Sequence, residues 1–175
     1  MTTQKALHPL VEYELKWLGD DDPAGVLAAT PAKLREAIGG ADEALLRRRP
    51  AADSWSAMEL LGHFADIELV HAERFRRILA EEKPKLVPFD PDAWNSTLGH
   101  GKRSASEHLG LFEALRQANL NTWKRATPAQ RAREYVHGER GAETYDLLFR
   151  MCAGHDRLHL AQLREALGAG AARVS

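Results

Sequence analysis

A single cysteine, Cys152, occurs in the 175 residues, so no internal disulfide can form. The N-terminal Met1-Thr2-Thr3-Gln4-Lys5 is not followed by the long apolar stretch of a secretory signal. Without a disulfide framework or such a signal, a reducing, cytoplasmic location is expected. No run of residues is long and apolar enough to span a bilayer. An excess of either charge is also missing: 24 basic residues against 25 acidic give a net charge of −1. That balance offers no electrostatic reason to expect nucleic acid or an anionic membrane as partner. There is no Gly-rich phosphate loop and no serine in a nucleophile-elbow pattern. β-Branched residues in period-two alternation are scarce, so few or no strands are expected.

What the sequence has is helix. The expected architecture is all-α: one domain over 1–175, with a four-helix-bundle core at about 24–168, a short helical lead-in at 8–22 and long loops. Val11, Leu15 and Leu18 give the lead-in its apolar spacing. Thr30 before Pro31 resembles a cap followed by a first-turn proline, and Leu34, Ile38, Ala41 and Leu45 share one face of a first helix over 24–47. Gly39-Gly40 weakens that helix. Ser56-Ala57-Met58-Glu59 is a capping box, with Trp55 and Leu60 as its hydrophobic staple. The second helix runs from there toward Pro84 with the stripe Leu60, Phe64, Ile67, His71, Phe75 and Ile78. Ser104-Ala105-Ser106-Glu107 is a second capping box. It opens a third helix whose inner face is expected at Leu111, Leu115, Ala118 and Thr122, ending near Thr127-Pro128. The fourth helix, 143–167, carries Tyr145, Leu148, Cys152, His155, His159, Leu163 and Ala166 at steps of three and four. Residues 84–103 and 131–142 have no regular pattern. The first of these, rich in Pro and aromatics, is expected to be an ordered loop over the bundle.

Eight histidines are the most telling part of the composition. His155 and His159 lie four residues apart on one helix face, with Cβ atoms about 5–6 Å apart, so two imidazoles can converge on one metal ion. The alternative is two core histidines satisfied by hydrogen bonds. Burying two rings without partners costs about 1–3 kcal/mol each, and a metal relieves that cost. A third ligand is available if the start of helix two lies opposite the middle or end of helix four, because His63 flanks the stripe of helix two. Three imidazoles leave a coordination position open, which is the mark of a catalytic site.

Trp55-Ser56, Glu59 and His63-Phe64-Ala65-Asp66 resemble the second helix of the DinB-like superfamily. Pro88-Phe89-Asp90-Pro91-Asp92-Ala93-Trp94 resembles the loop that follows it in the YfiT-like branch, and Gly154-His155-Asp156 through His159-Leu160-Ala161-Gln162 resembles the final helix. The resemblance spans about residues 30–165. It implies a four-helix bundle, commonly dimeric, with one divalent metal held by His63, His155 and His159. Zinc or nickel suits such ligands, and iron occurs in a related domain. It also implies a metal-dependent transferase or hydrolase acting on a small molecule, with a low-molecular-weight thiol as a candidate co-substrate. A non-catalytic bundle that binds a small molecule or metal is the alternative.

Five further residues are candidates for the pocket or for contacts behind the ligands. Asp66 and Asp156 could orient ligand rings or could be solvated carboxylates. His71 could line the pocket or be a satisfied core histidine. Cys152, one turn before His155, could be reactive or a small buried hydrophobe. Trp94 is the expected substrate-facing aromatic of the long loop.

Overall fold

A computed structural model describes residues 7–168; Met1–Lys5, read above for a targeting signal, lie outside them. Helix α1, Pro9–Leu18, is capped by His8, whose Nδ1 accepts the Leu10 amide. Helix α2, Pro23–Ile38, starts at the Asp22 cap with Pro23 in its first turn. The Thr30-Pro31 start expected from the sequence therefore falls inside α2. Proline has no N–H, so the Leu27 carbonyl one turn earlier loses its helical donor. That carbonyl accepts Arg116 Nη1 at 2.9 Å instead. The chain then breaks at Gly39-Gly40, Gly40 having φ +83°, and a separate short helix α3 covers Glu43–Arg47.

Both capping boxes form as expected. Helix α4, Ala57–Ala80, opens with the Ser56 side chain accepting the Glu59 amide while the Glu59 carboxylate accepts the Ser56 amide. Helix α6, Ala105–Arg125, opens the same way with Ser104 and Glu107. Helix α8, Tyr145–Ala166, is capped by Thr144. Helix α4 stops three residues before Pro84's neighbour, at Ala80, where Glu81 turns to extended backbone.

The irregular segments contain more structure than the sequence pattern suggested. Between α4 and α6 lie strand β1, Lys85–Leu86, helix α5, Pro91–Leu98, and a 3-10 turn at His100–Lys102. A short helix α7, Pro128–Arg131, is followed by a hairpin of β2, Glu134–His137, and β3, Gly141–Thr144. The hairpin pairs antiparallel with His137 opposite Gly141, and β1 adds in parallel with Leu86 opposite His137. Strands of two to four residues are too short for alternation to be seen in a sequence.

Cross-helix pairs give the directions. His63 meets His155, His71 meets Cys152, and Phe75 meets Tyr145, so α4 and α8 are antiparallel. Phe64 packs on Phe112 and Glu68 bonds Arg116 and Asn119, so α4 and α6 are parallel. Parallel neighbours need a crossover, and residues 81–104 supply it.

Two apolar clusters form the core: one around Phe75, Trp123, Tyr145 and Phe149, the other around Leu34, Phe64, Phe112 and Leu163. A buried ionic layer lies near their junction. Arg116 donates to Asp156 at 2.6 and 3.0 Å and to Glu68 at 2.8 Å, and Asn119 Nδ2 donates to Glu68 at 2.8 Å. The inner face of α6 is therefore His108, Phe112, Arg116, Asn119, Leu120 and Trp123. The expected face fails here: Leu111 is exposed, because the true face carries an arginine and an asparagine that a hydrophobicity pattern assigns to water. Helix α1 is also more than a lead-in. It lies on α8 at Gly154, where an added Cβ would come within 1.9 Å of the Glu14 carbonyl oxygen.

Candidate metal centre

Helix α8 brings His155 and His159 to one face, and antiparallel α4 brings His63 against them. One ring nitrogen from each of the three lies within 4.8 Å of the others. His63 Nε2 and His155 Nε2 are 3.2 Å apart. Two nitrogens bound at about 2.0–2.1 Å to one tetrahedral ion would be about 3.3 Å apart, so this spacing fits a shared ion. His159 Nδ1 lies 2.7 Å from Gln162 Oε1. A neutral ring donating from Nδ1 to that amide oxygen keeps its Nε2 lone pair for a metal.

Metal ligation needs neutral imidazole, and the surroundings enforce it. Burial, with the neighbouring His159 and His100, lowers His63 to about pKa 3. Burial also holds His155 well below its ordinary value and His159 at about 4. The donor set, its spacing and its protonation all suit a divalent ion.

The Trp55 ring adds a wall, 4.9 Å from the His63 ring and stacked 6.4 Å from that of His159. Its indole N–H donates to Asp92, on α5, at 3.0 Å. Neither this role of Trp55 nor that of Gln162 was foreseen. Gln162 sits three residues after His159, so the i, i+3 relation was the available signal.

A cavity of about 220 Å³ runs from His63 and His155 past His71, Cys152, Ile67 and Met151 toward Arg74, Arg140 and His137, with Glu14 and Leu10 of α1 along one side. A second hollow of about 580 Å³ opens beyond His159, bounded by Trp55, Gln162 and Glu165. Within the first, Cys152 Sγ lies 3.3 Å from His71, whose ring stacks on Phe75. Burial pushes the Cys152 thiol well above, and the His71 imidazole well below, their ordinary pKa values, so both are neutral. Glu14 is raised by burial to about pKa 7, against the pull of Arg140 and Arg74.

Three expected placements are corrected. Asp66 does not touch a clustered histidine; its carboxylate lies 2.6 Å from His100 Nε2, and His100 packs against Gly62 where any Cβ would strike its ring. Asp156 points to Arg116 in the buried ionic layer. Trp94 packs on Phe89 at 4.9 Å, and it is Phe89, with Pro88 and Pro91, that lines the cavity. His71 and Cys152 do line it. His100 and His137, both in the segments without regular pattern, are buried, and His137 lines the cavity.

The chain is similar to "Putative metal-dependent hydrolase YfiT" of Bacillus subtilis (strain 168), 24% identical over 170 residues that cover 94% of this chain and 96% of that protein. It is 23% identical over 135 residues to "Putative metal-dependent hydrolase OB0413" of Oceanobacillus iheyensis, covering 77% of this chain and 78% of that one. The solved structure of B. subtilis YfiT, described as having an unusual four-helix bundle topology, superposes with a TM-score of 0.77 at 23% identity, over 95% of this chain and 91% of that one. The DinB superfamily model matches residues 27–163, which include all three clustered histidines, and the chain belongs to that superfamily.

Proposed function

We propose that this protein is a metal-dependent enzyme acting on a small molecule held in the cavity between α4 and α8. The observation that carries the reading is the convergence of three neutral imidazoles from two helices, two of which, His63 and His155, line one end of that cavity. His63, His155 and His159 would hold the ion, with Gln162 orienting His159. Nitrogen donors of this kind suit zinc or nickel, and iron is compatible with them. An ion held there supplies Lewis-acid chemistry, lowering the pKa of a water or thiol beside it.

The remaining work falls to the chain. Trp55 and Phe64 shield the ligand rings from solvent. Ile67, Leu148 and Met151 give the substrate an apolar wall. Glu14, at about pKa 7, is the cavity carboxyl able to take or give a proton at its side-chain oxygen near neutral pH. The cavity is favoured over the larger hollow because it meets two ligand histidines; the hollow meets only His159. The names of the relatives support hydrolysis. Transfer of a low-molecular-weight thiol to an electrophile is the finer alternative, drawn from the family resemblance.

Purified protein is expected to hold about one divalent ion per chain, and His159→Ala to lose it; unchanged metal content in the variant would overturn the triad. Metal-loaded and chelated protein should then be compared on activated esters, and on thiols with a generic electrophile. Metal-dependent turnover of the esters supports hydrolysis, and of the thiols transfer. Equal rates with and without metal sink the enzymatic reading, and tight ligand retention without turnover replaces it with a binding role.

A further inference from the structure

The end of the cavity away from the clustered histidines is charged. Arg74 stands on α4, eleven residues beyond His63, which is about 16 Å along a helix axis. It is only 6% exposed, as buried as a core residue. Among the described residues its guanidinium makes one hydrogen bond, Nη2 to the Val87 carbonyl at 3.0 Å, and no ion pair. Arg116, the other deeply buried arginine of the bundle, shows what is missing: it is bonded to two carboxylates and a carbonyl. A buried cation without a counter-charge is costly, and natural proteins pair it.

The neighbours do not supply that charge. Arg140 takes both oxygens of Glu143, at 2.7 and 3.0 Å, and Tyr135 donates its hydroxyl to the same carboxylate. That pair is neutral in sum. His137 lies against Arg140 Nη1 at 3.2 Å, and burial keeps its imidazole neutral. Glu14 forms no hydrogen-bonded ion pair with Arg74 and, lifted by burial to about pKa 7, is mostly protonated at pH 6; Glu139 is exposed at the rim. Among the described residues, the outer end of the cavity is therefore left, below pH 7, with one uncompensated positive charge on a planar fork.

We infer that the cavity binds an elongated small molecule bearing a carboxylate, with the carboxylate on Arg74 and the reacting group toward His63 and His155. A guanidinium matches a carboxylate in bidentate geometry, and one spare charge matches a monoanion. The apolar wall between the two ends, Ile67, Leu148 and Met151, suits a hydrocarbon body. As a substrate class this rests on the metal-dependent reading above; the anion subsite on Arg74 does not.

The test is calorimetric binding at pH 6, where Glu14 is mostly protonated, of 4-phenylbutyrate against its neutral isostere 4-phenylbutyramide, on metal-loaded and chelated protein. The chelated protein should prefer the carboxylate at least tenfold. Arg74→Gln should abolish the preference, and Arg74→Lys should keep part of it. Equal binding of acid and amide by chelated wild-type protein would overturn the subsite, whatever the variants do. So would a preference seen only in the loaded protein, since the ion would then be the anion receptor. Should Arg74→Gln not fold, the acid–amide comparison and Arg74→Lys still decide. A clear preference at Arg74 in protein that never takes up metal would instead sink the metal-dependent reading alone.

Discussion

At the scale of single residues, the sequence spoke clearly where helical spacing alone decides position. His155 and His159 are four apart on a continuous stripe, and they converge. It spoke poorly where a contact crosses elements. Asp66 lies one turn from His63, yet it serves His100 from the crossover segment, a partner no local pattern announces. Trp94 lost its expected place to Phe89, which precedes the Asp90 cap of α5 and lines the cavity while Trp94 packs on it from within the helix. Gln162 is the residue-scale test. Its amide oxygen lies 2.7 Å from His159 Nδ1, a contact that would hold the Nδ1–H tautomer and leave Nε2 free for an ion. Partners of that kind typically contribute 10–100-fold in metal affinity. Gln162→Leu should weaken zinc binding by about that factor in a competition titration, with the helix content unchanged by circular dichroism. An affinity within twofold of wild type would mean the hydrogen bond does nothing for the site.

At the scale of elements, α4 and α8 were legible and α6 was not. The stripe of α8 was legible because its members recur at steps of three and four: Tyr145, Leu148, Cys152, Leu163 and Ala166 are all buried. The buried face of α6 holds Arg116 and Asn119, whose burial makes sense only once Glu68 and Asp156 arrive from two other helices. Helix α1 was undervalued for a related reason: its anchor is a glycine on another element. An alanine in place of a helical glycine ordinarily adds up to about 1 kcal/mol of helix stability. At Gly154 the new methyl would meet backbone, the Glu14 carbonyl oxygen at 1.9 Å, so α1 must move. Gly154→Ala should therefore destabilise by about 1–3 kcal/mol, the usual range for overpacking. It should also reduce metal affinity, because His155 is the next residue. Thermal denaturation checks the sign: a raised Tm would show that α1 gives way at no cost.

At the scale of the whole molecule, buried titratable groups couple the cavity to stability through pH. In chelated protein the histidines and Glu14 pull in opposite directions. His63, His159 and His137 have folded pKa values of about 3, 4 and 4, below the 6.5 of the unfolded chain. The unfolded state thus binds more protons below pH 6.5, and these groups cost stability as the pH falls through that value. Glu14 has its folded pKa raised from 4.5 to about 7, so the folded state holds the extra proton. Its contribution is fully present below pH 4.5 and is lost as the pH rises to about 7, a change on the order of 3 kcal/mol. Wild-type protein without metal should therefore be most stable near pH 6–7, falling steeply on the acid side. Glu14→Gln isolates the second effect, because the histidine contributions are common to both proteins and cancel in the difference. Above pH 7.5 the variant should be more stable than wild type by up to about 3 kcal/mol, and at pH 5 most of that gain should be gone. Urea denaturation of both proteins at the two pH values reads the difference directly. A gain that is the same at both would mean that Glu14 carries its charge in the cavity without penalty.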